Sequence, residues 1–280
     1  MKPNRSKSAL TISETESIKL SPVPACFRRR EQLKFQLAEN TAERLVFANM
    51  ASLFKAATRK QLRLRAAIDG PSGSGKTATA LRFAQSLSLA GGGTKIAVID
   101  TEHGSASKYI GHDFGEGPIQ FDVLELTDFS PSNIASAVQE AGRLGYGVIV
   151  VDSLSHAWEG KGGALELVDK AGGNSFTAWK DVTPMHRNMI EAILGSPSHV
   201  ICTMRSKTEF ILEEQEKNGK KIQVPRKVGM APVQRQGMEY EFDVYLSMDW
   251  SHIATVTKSR CPNIDGLIAS KPGREFLAPV

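Results

Sequence analysis

Cysteine is scarce: Cys26, Cys202 and Cys261 lie far apart and form no CxxC pair, so a disulfide framework or a zinc site has no support. No apolar run reaches eighteen residues, the length a membrane-spanning helix requires. The first twenty residues, "MKPNRSKSALTISETESIKL", lack the apolar stretch of a signal peptide. These absences describe a reduced, cytoplasmic protein with no membrane partner. Excess charge is also missing from most of the chain. Of the formal +5, residues 1–49 hold nine Lys/Arg against five Asp/Glu, which leaves the rest within one charge of neutrality. Bulk basicity therefore carries no argument for nucleic acid, and only local clusters can.

What is present is an alternation. Short apolar runs at 65–69, 95–99, 121–126, 147–151 and 199–204 are separated by helix-length segments, the pattern of a parallel sheet with crossover helices. Helices are expected over Lys76–Leu89, Ser132–Arg143 and Val182–Leu194, the last starting at Thr183-Pro184. The final third changes character. Residues 208–224 read as a hairpin about Asn218-Gly219, and "YEFDVYLSMDW" and "HIATVTKSR" read as antiparallel strands that close the sheet. The expected fold class is α/β, with a mainly parallel central sheet and antiparallel C-terminal strands. Residues 50–280 are read as one domain. Residues 1–49 are read either as a flexible arm or as a leader ahead of a start at Met50.

"GPSGSGKT" follows the first strand and opens a helix. Gly70, Pro71, Ser72, Gly73, Ser74, Gly75, Lys76 and Thr77 match the phosphate-loop pattern, in which inward-turned N–H groups and a helix N-terminus cradle phosphates. Lys76 would reach the β- and γ-phosphates, and Thr77 would ligate Mg²⁺. ATP and Mg²⁺ are thus the expected ligands. All strands of a parallel sheet end along one edge, so residues just past the other strands face the same crevice. Asp152, closing "VIVVD", is placed to hold Mg²⁺ through its water shell. Glu102, two residues beyond Asp100, is placed to orient and deprotonate water. For Asp100 the expectation is a loop anchor. His103 is left between tuning the site and packing.

With these residues in view, the chain resembles RecA-type ATPases. "VIDTEHGSASKY" is similar to the segment that carries their catalytic glutamate, "VIVVDSLSHAW" to the Walker B strand, "VICTMRSK" to the strand leading into the second DNA-binding loop, and "TKSRCPNIDG" to the Lys-x-Arg element of RadA-like members. As a whole it resembles the small RecA-core, AAA-type ATP-binding proteins of phages and prophages, a group that includes single-strand annealing recombinases. The resemblance implies a RecA-like fold, a bacterial host cell, assembly as a ring or filament, and a γ-phosphate of the neighbouring subunit reached by Lys258 and Arg260. It departs at Thr203, where RecA proteins carry a glutamine sensor.

Between Met204 and Met238 lie eight Lys/Arg residues against four glutamates. Arg205, Lys207, Lys220, Lys221, Arg226 and Lys227 are the candidate contacts to single-stranded DNA. A solvated hairpin without a ligand is the plainer alternative, because Phe210 is the segment's only aromatic for base stacking. Residues 155–168 read as a first DNA-contacting loop, with Lys161 near phosphate, or as a lid. Trp158, Trp179 and Trp250 are expected in the core, and Cys202 as an inert buried thiol. The function expected is ATP hydrolysis linked to single-stranded DNA in recombination or annealing. A small-molecule P-loop kinase and an ATP-driven switch acting on protein partners are the alternatives.

Overall fold

A computed structural model describes residues 63–277 except 173, 218 and 219; the side chains of 175 and 209–228 also lie outside what it describes. The leader, Cys26, the Asn218-Gly219 turn and the side chains of Lys220, Lys221, Arg226 and Lys227 therefore fall outside the described residues.

Among the described residues, nine strands form one sheet in the order β3-β2-β4-β5-β1-β7-β8-β9, with β6 paired to β5 off this path. The parallel part consists of β1 (Arg65–Gly70), β2 (Ile96–Asp100), β3 (Asp122–Glu125), β4 (Val148–Asp152), β5 (His199–Lys217) and β7 (Val244–Met248). β8 (Ile253–Ser259) and β9 (Ile268–Ser270) add antiparallel at one side. β6 (Lys220–Pro232) returns antiparallel along the outer half of β5. This is the α/β arrangement expected from the sequence, a mainly parallel central sheet with antiparallel C-terminal strands.

Period-two alternation explains why the central strands read as continuous apolar runs. In β4, Ile149 and Val151 face one core while Val148 and Val150 face the other; in β2, Ala97 and Ile99 oppose Ile96 and Val98. Both faces are covered, so both sets are apolar. One face is covered by α1 (Lys76–Ala90), whose Leu81, Phe83 and Ala84 are fully buried. α2 (Pro131–Arg143) covers the other face, with Ile134, Ala137, Val138 and Ala141 at helical spacing. Its start is fixed by the Ser130 side chain, which accepts from the Asn133 N–H at 3.3 Å, and by Pro131 in the first turn.

Two short helices, α3 (His156–Glu159) and α4 (Ala164–Ala171), occupy the segment read as a loop or lid. α5 (Ser175–Gly195) is far longer than expected, because Pro184 lies inside it rather than at its start. A proline removes one helical hydrogen bond, but the extra turns carry Ala178, which joins Val182 against Ala164 and Val168 in a small third core. Trp158 and Trp179 stack at 5.5 Å beside it. Packing outweighs the local break. A last helical turn, α6 (Arg274–Leu277), sets Phe276 against Phe83. Trp250 departs from expectation: it is 66% exposed in the turn between β7 and β8, a two-strand connection that has no core side.

β5 also differs from the reading. Rather than ending at Met204 it runs on to Lys217, paired first with β4 and β1 and then, from Ser206, with β6. Strand and hairpin are one element.

Candidate active site

The sheet's C-terminal edge gathers the ends of β1, β2, β4 and the inner part of β5: Asp100 lies opposite Asp152, and Gly70 opposite Arg205. The phosphate loop starts here. A Cβ on Gly70 would sit 2.7 Å from the Met248 carbonyl oxygen, so only glycine lets β7 and the loop lie this close. Gly75, with φ 91°, is the left-handed residue that turns the chain into α1. Lys76, first in that helix, donates from Nζ to the Pro71 carbonyl at 2.9 Å. Burial lowers its pKa, and the neighbouring Asp152 and Glu102 partly restore it.

Asp152 is almost wholly buried. Thr77 donates to its Oδ2 at 2.7 Å, and Thr203 donates to Oδ1. Burial raises the carboxyl's pKa and these two hydroxyls oppose the rise. Thr203, which stands where RecA proteins carry a glutamine sensor, thus orients the Asp152 carboxylate. Thr77 and Asp152 present only oxygens, the donor type Mg²⁺ prefers. Among the described residues no cluster of three or more His, Cys, Asp or Glu forms a cage. An ion held by one hydroxyl, one outer carboxylate, water and substrate phosphates fits this donor set.

Asp100 is the loop anchor. Its Oδ1 accepts from the Glu102 N–H at 2.6 Å and its Oδ2 from the Ala106 N–H at 3.1 Å. Thr101 ties the same loop to β4: its hydroxyl donates to the Ser153 carbonyl at 3.0 Å, accepts from the Ser153 N–H at 2.8 Å and meets His156 Nδ1 at 2.7 Å. His103 is exposed, with its ring at the edge of Phe129. Glu102 is thereby held at the mouth of the crevice. Burial acts to raise its pKa, but the hydrogen bonds and charge of Arg205, together with His156 and Lys76, hold the carboxyl below its ordinary range.

Arg205, expected among the DNA contacts, grips Glu102 through two bonds, Nε to Oε1 at 2.9 Å and an Nη to Oε2 at 2.5 Å. Its neighbour Ser206 donates to Asp69 Oδ2 at 2.8 Å. Lys207 is exposed on β5, opposite Ala231. Asp69, buried at the end of β1, escaped sequence reading because an acid inside an apolar strand carries no motif. Gln234 escaped too. Its amide donates to the Leu154 carbonyl at 3.0 Å, and its oxygen accepts from the Arg235 N–H at 2.8 Å.

Lys258 and Arg260 are not part of this cluster. Lys258 Nζ donates to the Tyr240 carbonyl at 2.7 Å and to that of Phe242; Arg260 donates to Asp243 Oδ1 at 3.0 Å. β8 is antiparallel, with Ser259 opposite Val244 at the start of β7, so both cations sit at the sheet edge away from the phosphate loop. The four steps from Val244 to Met248 put them roughly 13 Å along the strand from it.

Beside the loop opens a cavity of 470 Å³, lined among others by Thr79, Arg82, Tyr109, Phe114 and His252. Tyr109 and Phe114 stack at 6.0 Å, and Arg82 lies over the Phe114 ring. His252 Nδ1 lies 3.0 Å from the Ser74 carbonyl oxygen, so this turn leans on the phosphate loop. An aromatic, cation-bearing pocket continuous with a phosphate cradle has the shape and chemistry to hold a nucleoside. Sequence reading missed it because its residues come from four separate segments.

No curated protein matches the chain. Among solved structures, a KaiC-like protein from the hyperthermophilic archaeon Pyrococcus horikoshii is similar at 14% identity and a TM-score of 0.43, over 73% of this chain and 83% of that one. A family model described as an AAA domain matches residues 62–266, which span the phosphate loop, Glu102, Asp152, the hairpin and the Lys258/Arg260 strand. The chain belongs to that AAA domain family.

Proposed function

We propose that the protein is an ATPase of RecA-like type that hydrolyses ATP in response to single-stranded DNA, in phage-type recombination or strand annealing. The observation that carries the reading is the meeting of Glu102, Lys76 and the base of the β5–β6 hairpin at one sheet edge. Loop N–H groups and Lys76 would bind the phosphates, and the pocket of Tyr109 and Phe114 the base. Glu102 would align water with the γ-phosphate and take its proton. Thr77 and Asp152 would hold Mg²⁺, which would supply positive charge to offset that of the phosphates. A kinase needs no carboxylate to activate water, and Glu102 speaks against that alternative.

The hairpin emerges beside the start of the phosphate loop and carries most of the local basic cluster between Met204 and Met238, which supports a polyanionic partner. Single-stranded DNA would be bound by phosphate contacts, so affinity would fall steeply with salt. The position of Lys258 and Arg260 at the far edge supports a homo-oligomer, in which they would serve a neighbour's nucleotide. Among the described residues no helix is long and apolar enough to cross a membrane.

The test is steady-state ATP turnover with and without a single-stranded oligonucleotide, at low and high salt. Turnover that rises with the oligonucleotide and loses the response at high salt is expected. ATP hydrolysis indifferent to DNA at every salt concentration would leave the ATPase standing and favour a switch acting on protein partners.

A further inference from the structure

The base of the hairpin is stitched to the phosphate crevice on both legs. On the outgoing leg, β5 loses β1 at Arg205 and gains β6 at Ser206. At that junction the two successive side chains reach Glu102, just past β2, and Asp69, at the end of β1. The Arg205 N–H is held by Ser155 Oγ at 2.9 Å, three residues past Asp152. On the return leg, the Val233 N–H donates to the Arg205 carbonyl at 2.7 Å, and Gln234 holds the Leu154 carbonyl. A displacement of the hairpin is therefore transmitted first to Arg205.

The Arg205–Glu102 fork has a chemical consequence. A guanidinium that bonds both carboxylate oxygens takes the lone pairs best directed at an incoming proton and lowers the basicity of what remains. A carboxylate so engaged is a poor acceptor from water. The pair is also half in solvent, with side-chain exposures of 45% for Arg205 and 23% for Glu102, where ion pairs are weak and readily exchanged for another anion.

We propose that Arg205 gates Glu102: paired, it keeps the water-activating carboxylate occupied, and an anion drawing the hairpin aside releases it. This rests on the ATPase reading above. The exchange partner is a phosphodiester, whose two non-bridging oxygens accept the same fork from guanidinium. Arg205 thus acts through Glu102 as a positioning residue, and single-stranded nucleic acid on the hairpin would turn hydrolysis on by competing for it.

The experiment uses the full chain with Arg205→Gln, which removes the charge, and Arg205→Lys, which keeps the charge but loses the fork. Turnover at saturating Mg²⁺-ATP is measured without DNA and with oligo(dT), and binding of a fluorescent ADP analogue reports an intact nucleotide site. Basal turnover of Arg205→Gln should rise on the order of tenfold, with Arg205→Lys between it and wild type and ADP-analogue affinity unchanged. A merely structural role would not move the pH profile. Glu102 faces Arg205, His156, Lys76 and Asp152; loss of the guanidinium raises its pKa, so the acid limb of basal turnover should shift to higher pH. Oligo(dT) should accelerate wild type and add little to Arg205→Gln. A basal rate that falls or stays level, with ADP-analogue binding intact, overturns the gate. A raised basal rate in the variant beside a wild type that ignores oligo(dT) keeps the gate and removes DNA as its trigger.

Discussion

Glu102 and Lys76 sit within electrostatic reach of each other, yet the chemistry asks different things of them, and substitution should separate the two. On the proposed reading, Lys76→Ala removes a cation that would meet the phosphates in ground and transition states alike, so nucleotide affinity should fall. Glu102→Gln keeps the size but removes the charge and the proton acceptor, together with one of the two oxygens that accept from Arg205. It should bind ATP as wild type does and hydrolyse it on the order of tenfold or more slowly. Equilibrium binding of an ATP analogue beside single-turnover hydrolysis measures both, and a Glu102→Gln protein with wild-type turnover would end the assignment. The residues legible beforehand were those bound to a pattern: the phosphate loop follows a strand, and Asp152 follows four apolar residues. Asp69, Gln234, Thr203 and the fork of Arg205 were not legible. Their roles come from partners 51 to 137 positions away, and pairwise distance in space leaves no trace in spacing along the chain. Cys202 was legible as an inert thiol, since a cysteine in a strand buried on both faces has its pKa pushed up to about 12 by burial.

At the scale of elements, β5 is the least local piece of the fold, and its ends serve different purposes. The inner end is structural. The Leu64 N–H donates to His199 Nδ1 at 3.0 Å, and the adjacent Arg65 fixes the end of α5 by donating to the carbonyls of Leu194 and Ser198 at 3.1 and 2.7 Å. Burial, with Arg63 and Arg65 nearby, lowers the His199 pKa to about 4, so the folded protein prefers a neutral ring. The folded pKa lies below the unfolded one, and the unfolded chain binds the proton more readily. The stabilisation is present in full above the unfolded value and is lost as pH falls toward the folded one. Urea midpoints should drop between about pH 6.5 and 4, and His199→Gln should flatten that part of the dependence. An unchanged slope in the variant would show that other groups carry it. The outer end of β5 taught the opposite lesson about legibility. Its strand character and the hairpin were both readable from alternation and turn chemistry, but their continuity was not, because nothing local distinguishes a strand that changes partners from one that stops. α5 misled for a related reason: Pro184 is a strong local signal, and only Trp158 and the third core explain why the helix ignores it.

For the whole molecule, the direction of β8 decides what Lys258 and Arg260 can do. Within one chain they face the Glu239–Phe242 turn at the edge opposite the phosphate loop, so a role at the γ-phosphate requires a second copy whose far edge meets this copy's near edge. Such a head-to-tail contact closes into a ring or extends as a filament. A cation delivered in trans stabilises the transition state of phosphoryl transfer by on the order of 10³-fold in rate. In the alternative, the two residues only tie down the 3₁₀ turn at Met238–Tyr240, where Lys258 gathers three carbonyls, and their loss would weaken the fold rather than the chemistry. Mixing separates the two cases. Lys76→Ala lacks a working phosphate site but retains both cations; Lys258→Ala/Arg260→Ala has the reverse defect. If the site is shared, each protein alone should be nearly inactive, while a mixture contains junctions with an intact loop facing intact cations and should recover part of wild-type turnover in proportion to them. Thermal melts of the double variant, together with ADP-analogue binding, identify a protein that is merely unfolded. No recovery from two folded variants shown by cross-linking to share assemblies would assign Lys258 and Arg260 to the turn they hold in their own chain.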